Sequence, residues 1–172
     1  MTDAAVPGTA ADADARALSS ALRMRILRLC LDEALTNKEI AGRLAMAPAT
    51  TFHHVRLLAD RGFLAAQPER QGKRGAREVP YLATRKSWRT PMGPGQGRIL
   101  IQAFLDEFAL SDPARAEVVR LGLRLNEEDR HDLLRRFSDL FAEYAAREPD
   151  PDGEPVSLFF ALHEDAGRLR QI

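Results

Sequence analysis

The sequence contains a single cysteine, Cys30, so the chain can build neither an internal disulfide framework nor a cysteine-based metal cage. Aromatic residues make up only 6% of its 172 residues, and no apolar run approaches the ~20 residues a membrane-spanning helix needs. No nucleophile and base stand in a recognisable catalytic motif. The glycines at 93, 95 and 97 lack the lysine that a phosphate-binding loop requires, so an enzyme is not expected. Net charge is also missing: 25 Lys and Arg balance 25 Asp and Glu, which excludes a polyelectrolyte tail as the main device.

The balance hides an asymmetry. Arg16 to Thr90 holds 15 basic and 6 acidic residues, whereas Pro91 to Ile172 holds 10 basic and 16 acidic. A basic half joined to an acidic half is expected where only one half meets a polyanion. Met1 to Ala15 has three aspartates and no basic residue, the wrong charge for a signal or transit peptide, and reads as a disordered tail over 1–15. The lone cysteine fits a reducing, cytoplasmic setting.

Leu22, Ile26, Leu27, Leu29 and Cys30 recur at helical spacing opposite Arg23, Arg25 and Arg28. Thr36-Asn37-Lys38-Glu39 is a capping box that opens a short helix with Ile40, Ala41 and Leu44 inward. After a turn at Ala45 and Met46, Pro48 suits the first position of a second helix, whose buried stripe is Thr51, Val55 and Leu58 and whose end is Gly62. Phe63–Glu69 and Arg77–Ala83 read as the strands of a hairpin, and Pro68 and Pro80 suggest an edge-like ribbon. Residues 91–97 are rich in glycine and proline and read as a linker between a domain over 16–90 and another over 98–172.

In the second half, Ile99 to Leu110 carries a wide apolar face. Val119, Leu121, Leu123 and Leu125 alternate as in a half-buried strand, although a helix starting at Pro113 also fits the first residues. Asn126 caps a helix with the stripe Leu133, Leu134, Phe137, Leu140, Phe141 and Tyr144, and Val156, Leu158, Phe160 and Leu162 alternate again. The expected class is therefore α+β, mostly α, with a small strand-helix-strand C-terminal domain joined as a parallel crossover.

Short helix, tight turn, second helix and basic hairpin is the order of a winged helix-turn-helix. The sequence resembles the ArsR-type family of bacterial winged-helix transcriptional regulators from about Ala17 to Trp88. The resemblance is carried by Leu22-Arg23-Met24-Arg25-Ile26-Leu27, Thr36-Asn37-Lys38-Glu39-Ile40-Ala41, and Ala49-Thr50-Thr51-Phe52-His53-His54-Val55-Arg56-Leu57-Leu58 with Gly62-Phe63-Leu64. It implies a repressor that binds an inverted-repeat operator in double-stranded DNA as a homodimer, with an unidentified small-molecule effector allowed for. Ala49, Thr50, His53 and Arg56 would face the groove, joined by Lys38. Arg70, Lys73, Arg74 and Arg77 of the wing would meet the backbone. Two positions depart from the family pattern: Ala47 stands where a capping serine is usual, and Phe52 replaces a small polar residue.

Other residues have quieter readings. Cys30 shares a face with Ile26 and reads as core, and His54 as a histidine held within the domain. His131-Asp132 and His163-Glu164-Asp165 have no partner at metal-ligand spacing, so no metal or other cofactor is expected. The face formed by Leu100, Ile101, Phe104, Leu105 and Phe108 is either chain core or, with Leu18, a dimer seam. A different class of function also fits the basic half: a winged helix that binds an acidic protein.

Overall fold

The computed structural model describes residues 9–72, 75–91 and 96–168. The chain divides into two compact units, Met1–Ser111 and Asp112–Ile172.

The first unit opens with helix α1 (Ala10–Leu18), followed by α2 (Ala21–Leu29). The tail expected over 1–15 is thus helical from Ala10. Thr9 and Asp12 form a capping box, with the Asp12 carboxylate accepting from the Thr9 backbone N–H at 2.8 Å, and Leu18 anchors the other end by full burial. Arg23 of α2 donates from Nε to the Ala17 carbonyl and from a terminal nitrogen to the Arg16 carbonyl at 2.9 Å, satisfying acceptors that a helix end leaves open.

Strand β1 (Leu35–Thr36) leads into α3 (Asn37–Arg43), and α4 (Pro48–Asp60) follows. Next come β2 (Leu64–Ala66), β3 (Arg70–Gln71), β4 (Arg77–Glu78) and β5 (Pro80–Ala83). β2 and β5 pair antiparallel with Ala65 opposite Leu82, and the ribbon continues as β3 and β4 with Arg70 opposite Glu78. The hairpin expected from sequence is present, but it is not edge-like at its base. β5 is central in the order β1-β5-β2, with Thr36 opposite Pro80. Pro80 is tolerated because it is the first residue of its strand, while its carbonyl still accepts from the Gln67 N–H at 2.8 Å.

Around this sheet and α2–α4 lies the core: Leu18, Ile26, Cys30, Leu35, Ile40, Val55, Leu58 and Phe63 are essentially inaccessible. Helix α5 (Gly97–Phe108) packs on α2 through buried Ala103 and through Glu107, 3.7 Å from Arg28. Gln96, just before it, donates to the Ser19 hydroxyl at 2.7 Å. The first compact unit therefore includes the segment from residue 98 to 111 that sequence assigned to a second domain. Periodicity marked an apolar face on α5, but it could not say that α2 would take one side of it.

The second unit holds one long helix, α6 (Glu127–Ala145), with Asn126 accepting from the Asp129 N–H at 2.7 Å as its cap. Phe160 stacks on Phe137 at 4.0 Å and meets Phe141 at 6.1 Å. The two flanking segments form no regular secondary structure and no strand ladder joins them among the described residues, so the expected parallel crossover is not formed. Alternation predicted which side chains share a face; it carries no information on whether a backbone partner lies within reach.

Candidate nucleic-acid interface

Helices α3 and α4 meet in a turn that begins with the end of α3. The Ala45 N–H donates to Gly42 at 3.2 Å and the Met46 N–H to Ala41 at 2.9 Å, the double bond pattern of a Schellman cap, with Ala45 left-handed at φ 53°. α4 ends in the same motif, where Gly62 at φ 71° occupies the left-handed position without a Cβ penalty. The angle between α3 and α4 is pinned by the Asn37 side-chain amide, which donates to the Pro48 carbonyl at 2.9 Å. Pro48 stands in the first turn of α4, and Ala47 gives that helix no side-chain cap.

Thr51, Val55 and Leu58 bury one side of α4, and Ala49, Thr50, His53 and Arg56 lie exposed on the other, the side sequence assigned to the groove. Arg56 is only loosely tied, 3.8 Å from Asp60. Phe52, already singled out in the sequence as a bulky departure, and Leu57 are also exposed on this helix. His54 is half-buried, and burial lowers its pKa, with Arg23 and His53 adding smaller effects in the same direction.

Lys38 is exposed in the first turn of α3. Next to it, an open groove of about 680 Å³ runs between α3 and the ribbon, lined by Lys38, Glu39, Arg70 and Glu78 among others. Arg70 donates to both Glu39 carboxylate oxygens at 2.6 Å, a forked pair linking the wing to the helix-turn-helix. Glu39 is held below the usual carboxylate range by the Thr36 backbone N–H first, then by the Thr36 hydroxyl and Arg70, against an opposing effect of burial. Arg70 therefore braces the wing, and its charge is shared with Glu39. Arg77 is largely free, 3.6 Å from Glu69. Lys73 and Arg74 lie outside the described residues.

A second brace escaped sequence reasoning. The Asp14 carboxylate accepts from Lys86 Nζ at 2.6 Å and from Arg61 at 2.5 and 2.8 Å, joining α1 to the end of α4 and to the chain after β5. Lys86 and then Arg61 hold this carboxyl below its usual range. The partners are 47 and 72 positions away, beyond any local pattern.

Of the residues expected at a dimer seam, Leu18 is fully buried in the chain's own core, and Leu100 and Phe104 are half-buried. Ile101, Leu105 and Phe108 are exposed at successive turns of α5. Cys30 is core, and burial pushes its thiol up to about 12. Among the described residues, no group of three or more His, Cys, Asp or Glu side chains is placed to hold a metal ion, and no helix is long and apolar enough to cross a membrane.

The sequence matches no protein-family model and no curated protein. Among solved structures it is similar to reduced HlyU from Vibrio cholerae N16961, at 18% identity over 60% of this chain and 90% of that one, with a TM-score of 0.37. An apo mutant of ZitR from Lactococcus lactis is similar at 20% identity over 73% of this chain and 83% of that one, TM-score 0.36. A possible transcriptional regulator from Methanosarcina mazei Go1 is similar at 15% identity over 63% and 91%, TM-score 0.38. The α+β winged-helix fold of the first unit stands on the element order and strand register described above.

Proposed function

We propose that the chain is a sequence-specific, duplex-DNA-binding transcriptional regulator of the ArsR type that acts as a repressor. The carrying observation is α4: its Thr51-Val55-Leu58 stripe is buried while Ala49, Thr50, His53 and Arg56 stand clear beside a basic ribbon. A helix presented in this way suits the major groove, where a threonine meets a base edge or thymine methyl and Arg56 pairs with guanine or phosphate. Lys38, Lys73, Arg74 and Arg77 supply positioning contacts to phosphate, and Arg70 holds the wing in place.

One recognition helix covers too few base pairs to select a site among the ~10⁶ or more competitors of a genome, so the reading includes a twofold dimer on an inverted repeat. The exposed Ile101, Leu105 and Phe108 of α5 are its proposed seam. Leu105→Glu combined with Phe108→Glu should give a folded monomer with weak DNA affinity. A folded double variant that still sediments as a dimer moves the seam elsewhere.

The DNA reading is tested by titrating duplex fragments at two salt concentrations. Log affinity should fall with log salt at roughly −0.9 per phosphate contact, and changing Lys73, Arg74 and Arg77 to Ala should flatten the slope on all sequences alike. Thr50→Ala or His53→Ala should instead change the preferred sequence in an operator selection. Duplex affinity indifferent to salt would overturn the DNA reading and leave the winged helix as a module for an acidic protein.

A further inference from the structure

Glu39 carries a charge that its structural role does not require. In a capping box this residue has to accept from the backbone N–H of the cap, and Gln does so as well as Glu. The Glu39 carboxylate accepts from the Thr36 N–H at 2.8 Å and the Thr36 hydroxyl at 2.9 Å, and both its oxygens also accept from Arg70 at 2.6 Å. The Thr36 N–H foremost keeps it below the usual carboxylate range, so it is ionised at neutral pH. Glu39 and Arg70 are 43% and 46% exposed, so the pair faces solvent along the groove between α3 and the ribbon.

An ion pair this exposed adds little stability. The ribbon keeps its own shape without it: Arg70 stands opposite Glu78, Gln71 opposite Arg77, and the Gly72 N–H donates to the Ala76 carbonyl at 2.7 Å. What the pair changes is charge. Lys38, Glu39, Arg70 and Glu78 are the charged residues lining the groove, and they sum to zero. Arg56 and Arg77 lie 3.8 and 3.6 Å from their acids, so among the described cations expected at DNA, Arg70 is the one an acid holds closest.

We infer, on the DNA reading proposed above, that Glu39 is an affinity-limiting residue of the interface: its carboxylate competes with a backbone phosphate for Arg70 and withholds one phosphate contact. Carboxylate and phosphate suit a guanidinium alike, so the exchange brings Arg70 no better partner. It also leaves the Glu39 charge bare beside a polyanion, and that repulsion sets the balance against DNA. A backbone contact carries no sequence information, so the limit falls on all sequences alike and leaves base selection to α4.

Glu39→Gln isolates the charge. Its side-chain oxygen still accepts from the Thr36 N–H, while its NH₂ offers Arg70 no acceptor. Titrated with a mixed-sequence duplex over a salt series, the variant should bind about fivefold to tenfold tighter at ~0.1 M salt, with a log–log slope steeper by roughly 0.9, one phosphate contact. Glu39→Gln combined with Arg70→Ala restores a groove of zero net charge and should return the slope to that of the wild type. Helix content by circular dichroism and the urea midpoint of Glu39→Gln should match the wild type; a loss of either would show that the cap needs the charge and would overturn the inference. So would a folded Glu39→Gln that binds no tighter, or a double variant that keeps the gain, and in both cases the salt slope of the wild type would still stand for DNA binding. A wild type without that slope overturns both readings, so the same titration separates the two failures.

Discussion

The two units carry equally clear hydrophobic patterns and use them differently. Residues 9–111 bury Leu18, Ile26, Leu35, Ile40, Val55, Leu58 and Phe63 within one chain, while no described residue from 112 to 168 is fully buried. α6 has as regular an apolar stripe as α2, yet only α2 meets neighbours on enough sides to exclude water. Periodicity states which face of an element is to be covered; the covering group is a separate fact, and it can belong to another molecule.

The largest test of that contrast is at its two phenylalanines. Phe63 is wholly buried and touched by the Lys86 ammonium at 4.7 Å, so Phe63→Ala should cost about 3–5 kcal/mol in urea unfolding followed by Trp88, the only tryptophan, which lies in the first unit. Phe160→Ala, which removes a half-buried ring stacked on Phe137, should cost about 1 kcal/mol in the monomer by circular dichroism. Equal losses would mean that the second unit closes a core of its own, and the comparison would collapse.

A smaller effect sits in the turn before α4. The two Schellman caps of the helix-turn-helix differ in their left-handed residue: Gly62 after α4 and Ala45 after α3. A Cβ in that conformation costs roughly 1–2 kcal/mol, so Ala45→Gly should stabilise the first unit by about 1 kcal/mol. Ala47→Ser should add about 1 kcal/mol by giving α4 the side-chain cap it lacks. Both are read as a raised urea midpoint at constant m-value, and no change in either variant would mean that the turn is already relaxed.

Local chemistry made much of the first unit legible. The Thr36–Glu39 capping box, Pro48 at the start of α4, Gly62 at its end and the 51-55-58 stripe all act within a turn or two, and all form as read. The exposed side of α4 followed directly, since the buried stripe fixes the opposite face. Long-range partners were not legible: the Asp14 brace, the Arg70–Glu39 fork and the seating of α5 on α2 join residues tens of positions apart. Pro80 argued against a central strand because strand position within a sheet is set by topology, and its place as first residue removes the objection. The second unit failed at pairing for the same reason, since Val119 to Leu125 alternates correctly whether or not a neighbouring strand is present.

The smallest effect expected is a pH dependence confined to the first unit. Burial lowers the pKa of His54, aided by Arg23 and His53, so the folded state favours its neutral form. The unfolded chain then binds the proton at higher pH than the folded one. Stability is full above the ordinary histidine value of about 6.5 and falls as pH drops through it toward the folded value. Asp14 and Glu39 are shifted downward too, but as acids: the stability they supply is present above about pH 4 and is lost as pH falls through their lowered folded values. The two windows separate on the pH axis, so His54→Gln should flatten the curve between about pH 7.5 and 5.5 and leave the acid limb below about pH 4 in place. Urea unfolding followed at Trp88 across that range measures both. An unchanged slope in His54→Gln would show that the imidazole is as well hydrated in the fold as in the open chain, and the half-buried side of α4 would then be looser than its neighbours Thr51 and Val55 indicate.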